Sequence, residues 1–413
     1  MNNQVRNVVL WFPFFPKILV AKDPGQIAEH LAKMGYTVRL LTYSDDRHAK
    51  VSTIGKVELV SLSAGSKLSR RIGLALYNYV LRNGKNIDCM ILYFGFSQAI
   101  ASVLFRLVNR QGVCIVKMDS DGNLYKRQAL RIVKLDSTGD LYGGEIYKLN
   151  LARMILIRLF GEVTFRILAL TADLLIIESP EAREKVLEKH PYLKHRLKVL
   201  PNGIDQNRFG ELSQGIRAQR QNKILYVGRI EYPKGIDLLI KAFYRLKDKY
   251  PDWKIELVGT VTPSFDSELE KLITDDIKDR IISSGYLYGT ELVQRYIEAK
   301  IFCFPSRVES FGFVMTEAMY FSNAVVSSNV GAARYILDDG NAGMIFDNEN
   351  VEQLTTCLDR LMSDEQLRAR LATAAKSRCE KLFNWDSIIK ELDRHIGDVF
   401  SKKRTHSLAT RKE

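Results

Sequence analysis

Two glutamates separated by seven residues, Glu309 and Glu317, stand in the stretch Pro305-Ser306-Arg307-Val308-Glu309-Ser310-Phe311-Gly312-Phe313-Val314-Met315-Thr316-Glu317. Apolar runs flank it at residues 301–304 and 324–326. The pattern predicts strand, loop, helix, strand, with Glu309 in the loop and Glu317 inside the helix. A strand-to-helix turn aims the first N–H groups of the helix at an anion, and Ser310 is the predicted N-cap. The two carboxylates then reach hydroxyl groups on either side of a bound phosphate. A molecule with a phosphate in its middle and sugars at both ends, such as a nucleotide-sugar, has that shape.

Two further constellations lie upstream. Tyr226-Val227-Gly228-Arg229-Ile230-Glu231-Tyr232-Pro233-Lys234-Gly235 joins an apolar strand at 224–227 to an amphipathic helix at 236–243. Leu200-Pro201-Asn202-Gly203-Ile204-Asp205 lies further upstream. In this order and spacing the three resemble the retaining glycosyltransferases of family 4 (glycosyl transferases group 1), whose donor-site signature is a glutamate followed by Ser-Phe-Gly and then a second glutamate. The resemblance spans about residues 200–345. It implies an α/β chain of GT-B fold, with two Rossmann-like domains facing each other across a cleft. It also implies transfer of a sugar from a nucleotide-sugar donor, with retention at the anomeric carbon and no metal or other cofactor. Arg229 and Lys234 would neutralise the donor diphosphate, Glu317 would hold the ribose, and Glu309 would contact hydroxyls of the moving sugar. Gly228, Ser310, Phe311 and Gly312 would line the donor site. Cations aimed at a departing diphosphate stabilise the transition state more than the ground state, which agrees with the first of these roles.

The chain departs from the family pattern in three places. Many relatives carry a histidine at the end of the strand that here begins at Val113; this chain has Lys117-Met118-Asp119-Ser120-Asp121-Gly122. Asp119 or Asp121 is a candidate for that place, in contact with donor sugar or acceptor; a turn with two N-capping aspartates is the other reading. The Asp-Ser-Asp spacing resembles a metal-binding pair of the other major glycosyltransferase fold, but the remaining motifs point to a metal-independent site. Gly331-Ala332-Ala333-Arg334-Tyr335-Ile336 replaces the usual Gly-Gly and Pro-Glu, which leaves the donor's identity open. Prolines and aromatics fill residues 12–22, where the family has a glycine loop, and could shape an acceptor site for a bulky or lipid-linked glycan.

A chain of 413 residues is long for one core and suits two domains. Its apolar content of 46% and charged content of 26% are those of a globular protein. Five scattered cysteines without Cys-x-x-Cys spacing argue against a disulfide framework or structural zinc, and fit a reducing cytoplasm. No signal peptide is evident, and no apolar stretch reaches the roughly 18–20 residues that cross a bilayer. The expected location is cytoplasmic, with peripheral attachment at the inner face of the cytoplasmic membrane as an extension. A net charge of +13 calls for an acidic partner. Basic residues cluster at Lys67, Arg70 and Arg71 before an apolar helix at 72–81, and at Lys126, Arg127, Arg131 and Lys134. These first-domain residues suggest an anionic membrane surface as partner. Residues 149–170 read first as a core helix with a charged face at Arg158, Glu162 and Arg166, and second as an interfacial helix. No nucleic-acid-binding motif accompanies the charge, so nucleic acid is not an expected partner.

Short apolar runs at 8–12, 37–41, 89–93, 113–116, 174–177, 224–227, 255–258, 301–304 and 324–326 predict buried parallel strands. The expected division is an acceptor-binding domain at 1–203 and a donor domain at 204–384. A helix at 385–400 would cross back to the first domain, ahead of a mobile basic tail at 401–413. The expected activity is transfer to a hydroxyl of a glycan or lipid-linked glycan in bacterial cell-surface polysaccharide assembly. The rivals are a nucleotide-sugar epimerase of the same architecture and a basic membrane- or nucleic-acid-binding protein without catalysis.

Overall fold

The computed structural model describes residues 6–12, 23–44, 50–63, 68–120, 122 and 151–409. Among them, strands β1 (Asn7–Trp11), β2 (Thr37–Ser44), β3 (Lys50–Ile54), β4 (Val57–Ser63), β5 (Cys89–Tyr93), β6 (Val113–Met118), β7 (Leu174–Ile177) and β8 (Leu197–Val199) form one sheet. Their order is β3-β4-β2-β1-β5-β6-β7-β8, and only the β3–β4 pairing is antiparallel. Helices α1 (Asp23–Lys33), α2 (Leu68–Asn83), α3 (Phe96–Val108), α4 (Leu151–Thr171) and α5 (Pro180–Lys189) accompany it. Side chains alternate across the strands, and both faces are covered. Val9, Trp11, Met90, Leu92, Cys114 and Val116 pack with Leu76 of α2, Phe105 of α3 and Phe165 of α4. Val8, Leu10, Cys89, Ile91, Val113 and Ile115 pack with Ile27 and Leu31 of α1 on the other side. Burial on two faces is why these strands read as unbroken apolar runs.

A second sheet is wholly parallel: β9 (Gln221–Val227), β10 (Lys254–Val258), β11 (Ile281–Gly285), β12 (Ala299–Phe304), β13 (Ala324–Ser328) and β14 (Met344–Phe346), in the order β11-β10-β9-β12-β13-β14. Helices α6 (Gln206–Ser213), α7 (Ile236–Leu246), α8 (Pro263–Leu272), α9 (Gly289–Glu298), α10 (Phe313–Tyr320), α11 (Ala333–Ile336), α12 (Val351–Ser363) and α13 (Glu365–Leu382) belong with it. The chain moves outward from β9 to β10 and β11, then returns to lay β12 on the opposite side of β9. The loops after β9 and β12 therefore part in opposite directions, opening a crevice at the switch in strand order, where such sheets bind ligands. Each predicted strand run folds as a strand of one of these two sheets.

The last helix, α14 (Trp385–Ala409), leaves the second sheet and packs on the first. Trp385, Ile388, Ile389, Leu392 and Ile396 join the α1 side of the first core. The outbound crossing lies against this return: the Ile204 N–H donates to the Phe383 carbonyl at 2.7 Å. One expectation fails here. Residues 401–409 are not a loose tail but continue α14, because Lys403 reaches Asp173 at 2.9 Å and the Gly112 carbonyl at 2.7 Å. The helix at 149–170 is also altered. From residue 159 on, where its side chains are described, the exposed side is mostly apolar, with Leu159, Phe160, Val163 and Leu170 beside Arg166. Residues 13–22, Lys67, Asp121 and the cluster Lys126, Arg127, Arg131 and Lys134 lie outside the described residues.

Leu392 is 1% exposed, in a core whose members outside α14 all precede residue 201. Leu392→Ala should lower stability by about 2–5 kcal/mol, read as a fall in urea midpoint at unchanged slope.

Candidate functional site

Around the crevice the two loops are held to each other by backbone contact. Gly235 follows Lys234 at φ 69°, and a Cβ there would stand 1.9 Å from the Pro305 carbonyl oxygen. Only glycine permits that approach and that conformation. Arg307, just past β12, completes the clasp. Its guanidinium grips Asp237 of α7 with two bonds, at 2.7 and 2.9 Å, and donates to the Tyr232 carbonyl at 2.6 Å. The Arg307 N–H donates to the Pro233 carbonyl at 2.8 Å. Burial works against the Asp237 charge, but Arg307 and then Lys241 outweigh it and hold the carboxyl below its usual range. The loops after β9 and β12 thus share one fixed register.

That register sets Lys234 against Glu309, with Nζ and Oε2 at 2.9 Å and both side chains partly open to solvent. Glu309 also accepts from the Ser310 N–H at 2.9 Å through its other oxygen. Arg229 is 54% exposed and lies 3.0 Å from the buried Glu231, while its carbonyl accepts from the Tyr226 hydroxyl at 2.7 Å. Gly228, at the end of β9, has φ 149° and lets the chain turn from the sheet beside Arg229. Glu317, on α10, accepts from the Tyr296 hydroxyl at 2.7 Å. Burial, then the Glu317 charge, push the Tyr296 phenol well up, so it stays a donor.

Two expectations on this loop change. Ser310 is not the N-cap: that position falls two residues later, on Gly312, in the left-handed region at φ 95° and without a side-chain cap. Phe311 turns its ring into the core, 1% exposed and edge-on to Phe383 at 5.8 Å, so it serves the site through its backbone. Gly331 lies close against this loop. A Cβ there would stand 2.6 Å from the carbonyl oxygens of both Glu309 and Ser310.

Asp119 belongs to a different group, at the carboxyl edge of the first sheet. The buried Lys117 ammonium lies 2.9 Å from Asp23, 3.2 Å from Asp119 and 3.5 Å from Glu178. It also donates to the Asn202 amide oxygen at 2.9 Å, and Asn202 donates to Glu178 at 2.5 Å. Tyr93 donates to Asp23 at 2.8 Å. Burial opposes the Lys117 charge, but the carboxylates overcome it and raise the ammonium above its usual range. Three carboxyls around one cation cannot all be satisfied as anions. Burial, then the Asp119 charge, push Glu178 up to about 8.

Arg229, Lys234, Glu309, Ser310, Gly228 and Gly312 thus gather at the β9–β12 crevice, with Glu317 one helix turn behind. Asp119 stands on the other domain, 38% exposed. Burial, and further the Glu181 and Glu391 charges, push the Tyr335 phenol up. Sequence reasoning missed Arg307, Asp237, Tyr296, Asp23 and Glu178. Two signals were present. Asp237 interrupts the apolar face of α7, and a lysine within Val-Cys-Ile-Val-Lys-Met demands buried acids nearby.

Known proteins resemble this chain in sequence and in fold. Residues 211–378 match the family model for glycosyl transferases group 1. Mannosylfructose-phosphate synthase of Agrobacterium fabrum is 26% identical over 238 residues, 54% of this chain and 52% of that protein. The chain thus aligns with about half the length of the curated relatives it matches. Among solved structures, sucrose-phosphate synthase from Thermosynechococcus elongatus superposes with a TM-score of 0.69 at 19% identity, covering 96% of this chain and 100% of that one. HepE from Anabaena in complex with UDP-glucose gives 0.66 at 14% identity, covering 95% and 99%. The fold is GT-B: two Rossmann-like domains, each built on a parallel sheet.

Breaking the clasp has a defined cost. Arg307→Ala leaves Asp237 charged, buried and deprived of its bidentate partner, and should destabilise by about 3–5 kcal/mol in urea unfolding. The Arg307→Met, Asp237→Leu pair should recover most of that loss. Glu178 sets a pH dependence. Between its ordinary 4.5 and about 8 the folded chain keeps a proton that the unfolded chain releases, so this group's contribution to stability falls as pH rises through that window. Glu178→Gln should therefore gain stability relative to wild type across that window, measured by urea unfolding at a series of pH values.

Proposed function

We propose that this protein transfers a sugar from a nucleotide-sugar to a hydroxyl of a glycan or lipid-linked glycan, with retention at the anomeric carbon and without a metal ion. The observation that carries the reading is the Lys234–Glu309 contact of 2.9 Å at the β9–β12 crevice, beside the exposed Arg229. A diphosphate seated there meets two cations, and a sugar attached to it meets a carboxylate. The match of residues 211–378 to glycosyl transferases group 1 and the fold shared with a protein solved with UDP-glucose support the same reading.

In the proposed reaction the bond from the anomeric carbon to the diphosphate oxygen breaks, and its electron pair leaves with the diphosphate. The acceptor oxygen bonds to the same face of that carbon, and its proton passes to the departing phosphate oxygen. Arg229 and Lys234 hold the charge that builds on the leaving group. Glu309 contacts hydroxyls of the moving sugar, and its negative charge favours the electron-poor anomeric carbon. Glu317, steadied by Tyr296, binds the ribose. Gly228 and the backbone of Ser310, Phe311 and Gly312 shape the donor pocket. Asp119, on the facing rim, contacts the sugar or the acceptor. The acceptor belongs to cell-surface polysaccharide assembly at the inner face of the cytoplasmic membrane.

A thermal-shift panel of UDP, GDP, ADP, CMP and dTDP tests the donor site. One nucleotide at about 100 times its dissociation constant should stabilise the wild type by roughly 2.7 kcal/mol. Lys234→Ala and Glu317→Ala should lose most of that shift. With the matching donor, Lys234→Ala and Arg229→Ala should each lower kcat about a hundredfold or more. Conversion of the donor into a different nucleotide-sugar without any acceptor would replace this reading with an epimerase.

A further inference from the structure

Among the described residues, the first domain leaves a broad apolar face uncovered. Helices α2, α3 and α4 pack side by side over the first sheet, and each presents an aliphatic or aromatic stripe to solvent. On α2 the stripe is Leu74 and Leu81, seven residues apart; on α3 it is Phe96, Val103 and Leu107; on α4 it is Leu159, Val163 and Leu170. Phe96 and Phe160 join α3 to α4 with ring centroids 4.5 Å apart. Leu107 is 69% exposed and Leu170 79%. Side chains of this size are ordinarily exposed singly, not as stripes on three neighbouring helices.

At one end of this face the surface turns strongly basic. A cavity of about 620 Å³, with Leu170 in its wall, lies between the ends of α3 and α4, the start of β7, and α14. Seven Lys or Arg line it, including Arg110, Lys198, Arg394 and Lys402, against two aspartates. Arg106 and Lys403 are committed to Asp173 and to backbone carbonyls, and so hold the frame. Arg110 and Lys402 are exposed at its rim.

We infer that the α2–α3–α4 face, with the basic cavity at its edge, is a docking surface for an anionic phospholipid bilayer. The stripes enter the interface, and the cavity holds phosphate headgroups. Charge complementarity selects this occupant. A second copy would set like charge against like around the cavity, and nucleic acid would gain nothing from the aliphatic stripes. The surface deepens the acceptor side of the proposed function and rests on it for its purpose, but it is tested without turnover.

The probe is the full chain sedimented with vesicles of equimolar phosphatidylglycerol and phosphatidylcholine, or of phosphatidylcholine alone. Binding should be strong to the first and weak to the second, and should fall with added salt. Arg110→Gln with Lys402→Gln should lower partitioning about thirtyfold, from the usual gain per basic residue at an anionic surface. Leu107→Glu with Val163→Glu should abolish it. All four positions are exposed, so the melting temperature and the nucleotide-induced thermal shift should match wild type. Equal affinity for both vesicles, or no binding with the nucleotide shift intact, would overturn the docking surface and leave the donor site standing. Vesicle binding with no nucleotide shift would do the reverse. A dimer in sedimentation that Leu107→Glu dissociates would reassign the face to a contact between copies. Inorganic phosphate competing as well as vesicles do would reduce the cavity to a site for free anions.

Discussion

The crevice of the second domain depends on the clasp between the loops that follow β9 and β12. Residues seventy positions apart meet there through the Pro305 carbonyl over Gly235 and the Arg307 fork on Asp237. Asp237 is 3% exposed and Arg307 10%, so both charges have given up most of their hydration. A buried pair of this kind returns little net stability, because the attraction is largely offset by desolvation. Its geometry is what matters. With two parallel bonds to a carboxylate and two more contacts to the Tyr232 and Pro233 carbonyls, Arg307 admits one relative position of the loops. Lys234 and Glu309 extend from that fixed base, and so their ends can stay hydrated without losing their mutual distance.

The first domain solves the opposite problem. Lys117 arises from β6, an interior strand of a sheet buried on both faces, and a lysine there must find acids or lose its proton. It finds three, and the surplus is resolved by Glu178 holding a proton well above the ordinary carboxylate range. This polar centre also takes in Asn202, from the segment that leads into the second domain. Asp119, the member most open to solvent, is therefore positioned by the same lysine that fastens the crossing. Lys117 is the residue around which the first domain's rim is organised.

How much of this was legible follows from the range of the interactions. The central strands of both sheets could be read directly, because each is covered on two faces and carries an unbroken apolar run. Short or edge strands could not: β11, with its sequence Ile-Ile-Ser-Ser-Gly, is half exposed, and β14 is three residues long. Glu309, Glu317, Arg229 and Lys234 were legible from spacing within single loops. The clasp was not, since Arg307 and Asp237 lie in separate motifs and neither looks unusual alone. Local reasoning also misplaced the start of α10, where Gly312 takes over from Ser310, and the end of α14. In the second case nothing near Lys403 in sequence predicts Asp173, more than two hundred residues earlier. On α4, charges at helical spacing suggested a solvated polar face. Among the described side chains the exposed ones are mainly Leu159, Phe160, Val163 and Leu170, and Glu162 and Arg166, paired at 2.9 Å, occupy only part of that side.

The two crossings between domains bear on how these groups can work together. The outbound segment at Leu200 to Asp205 and the inbound one at Phe383 to Trp385 touch, through the Ile204 to Phe383 hydrogen bond and the contact of Gly203 with the Trp385 ring. Two chain passages that lie side by side leave a rotation about their common line as the easiest relative movement of the domains. Each is anchored firmly on the first-domain side: Asn202 to Lys117 and Glu178, and Trp385 to the core beneath α1. Anchoring on that side keeps Asp119 and the crossing in one rigid unit. A rotation at the crossing would then carry the whole β9–β12 crevice, clasp included, toward or away from Asp119. Neither rim would have to change internally. The rigid clasp on one side and the satisfied polar centre on the other are what make such a movement consistent with a fixed arrangement of Arg229, Lys234 and Glu309.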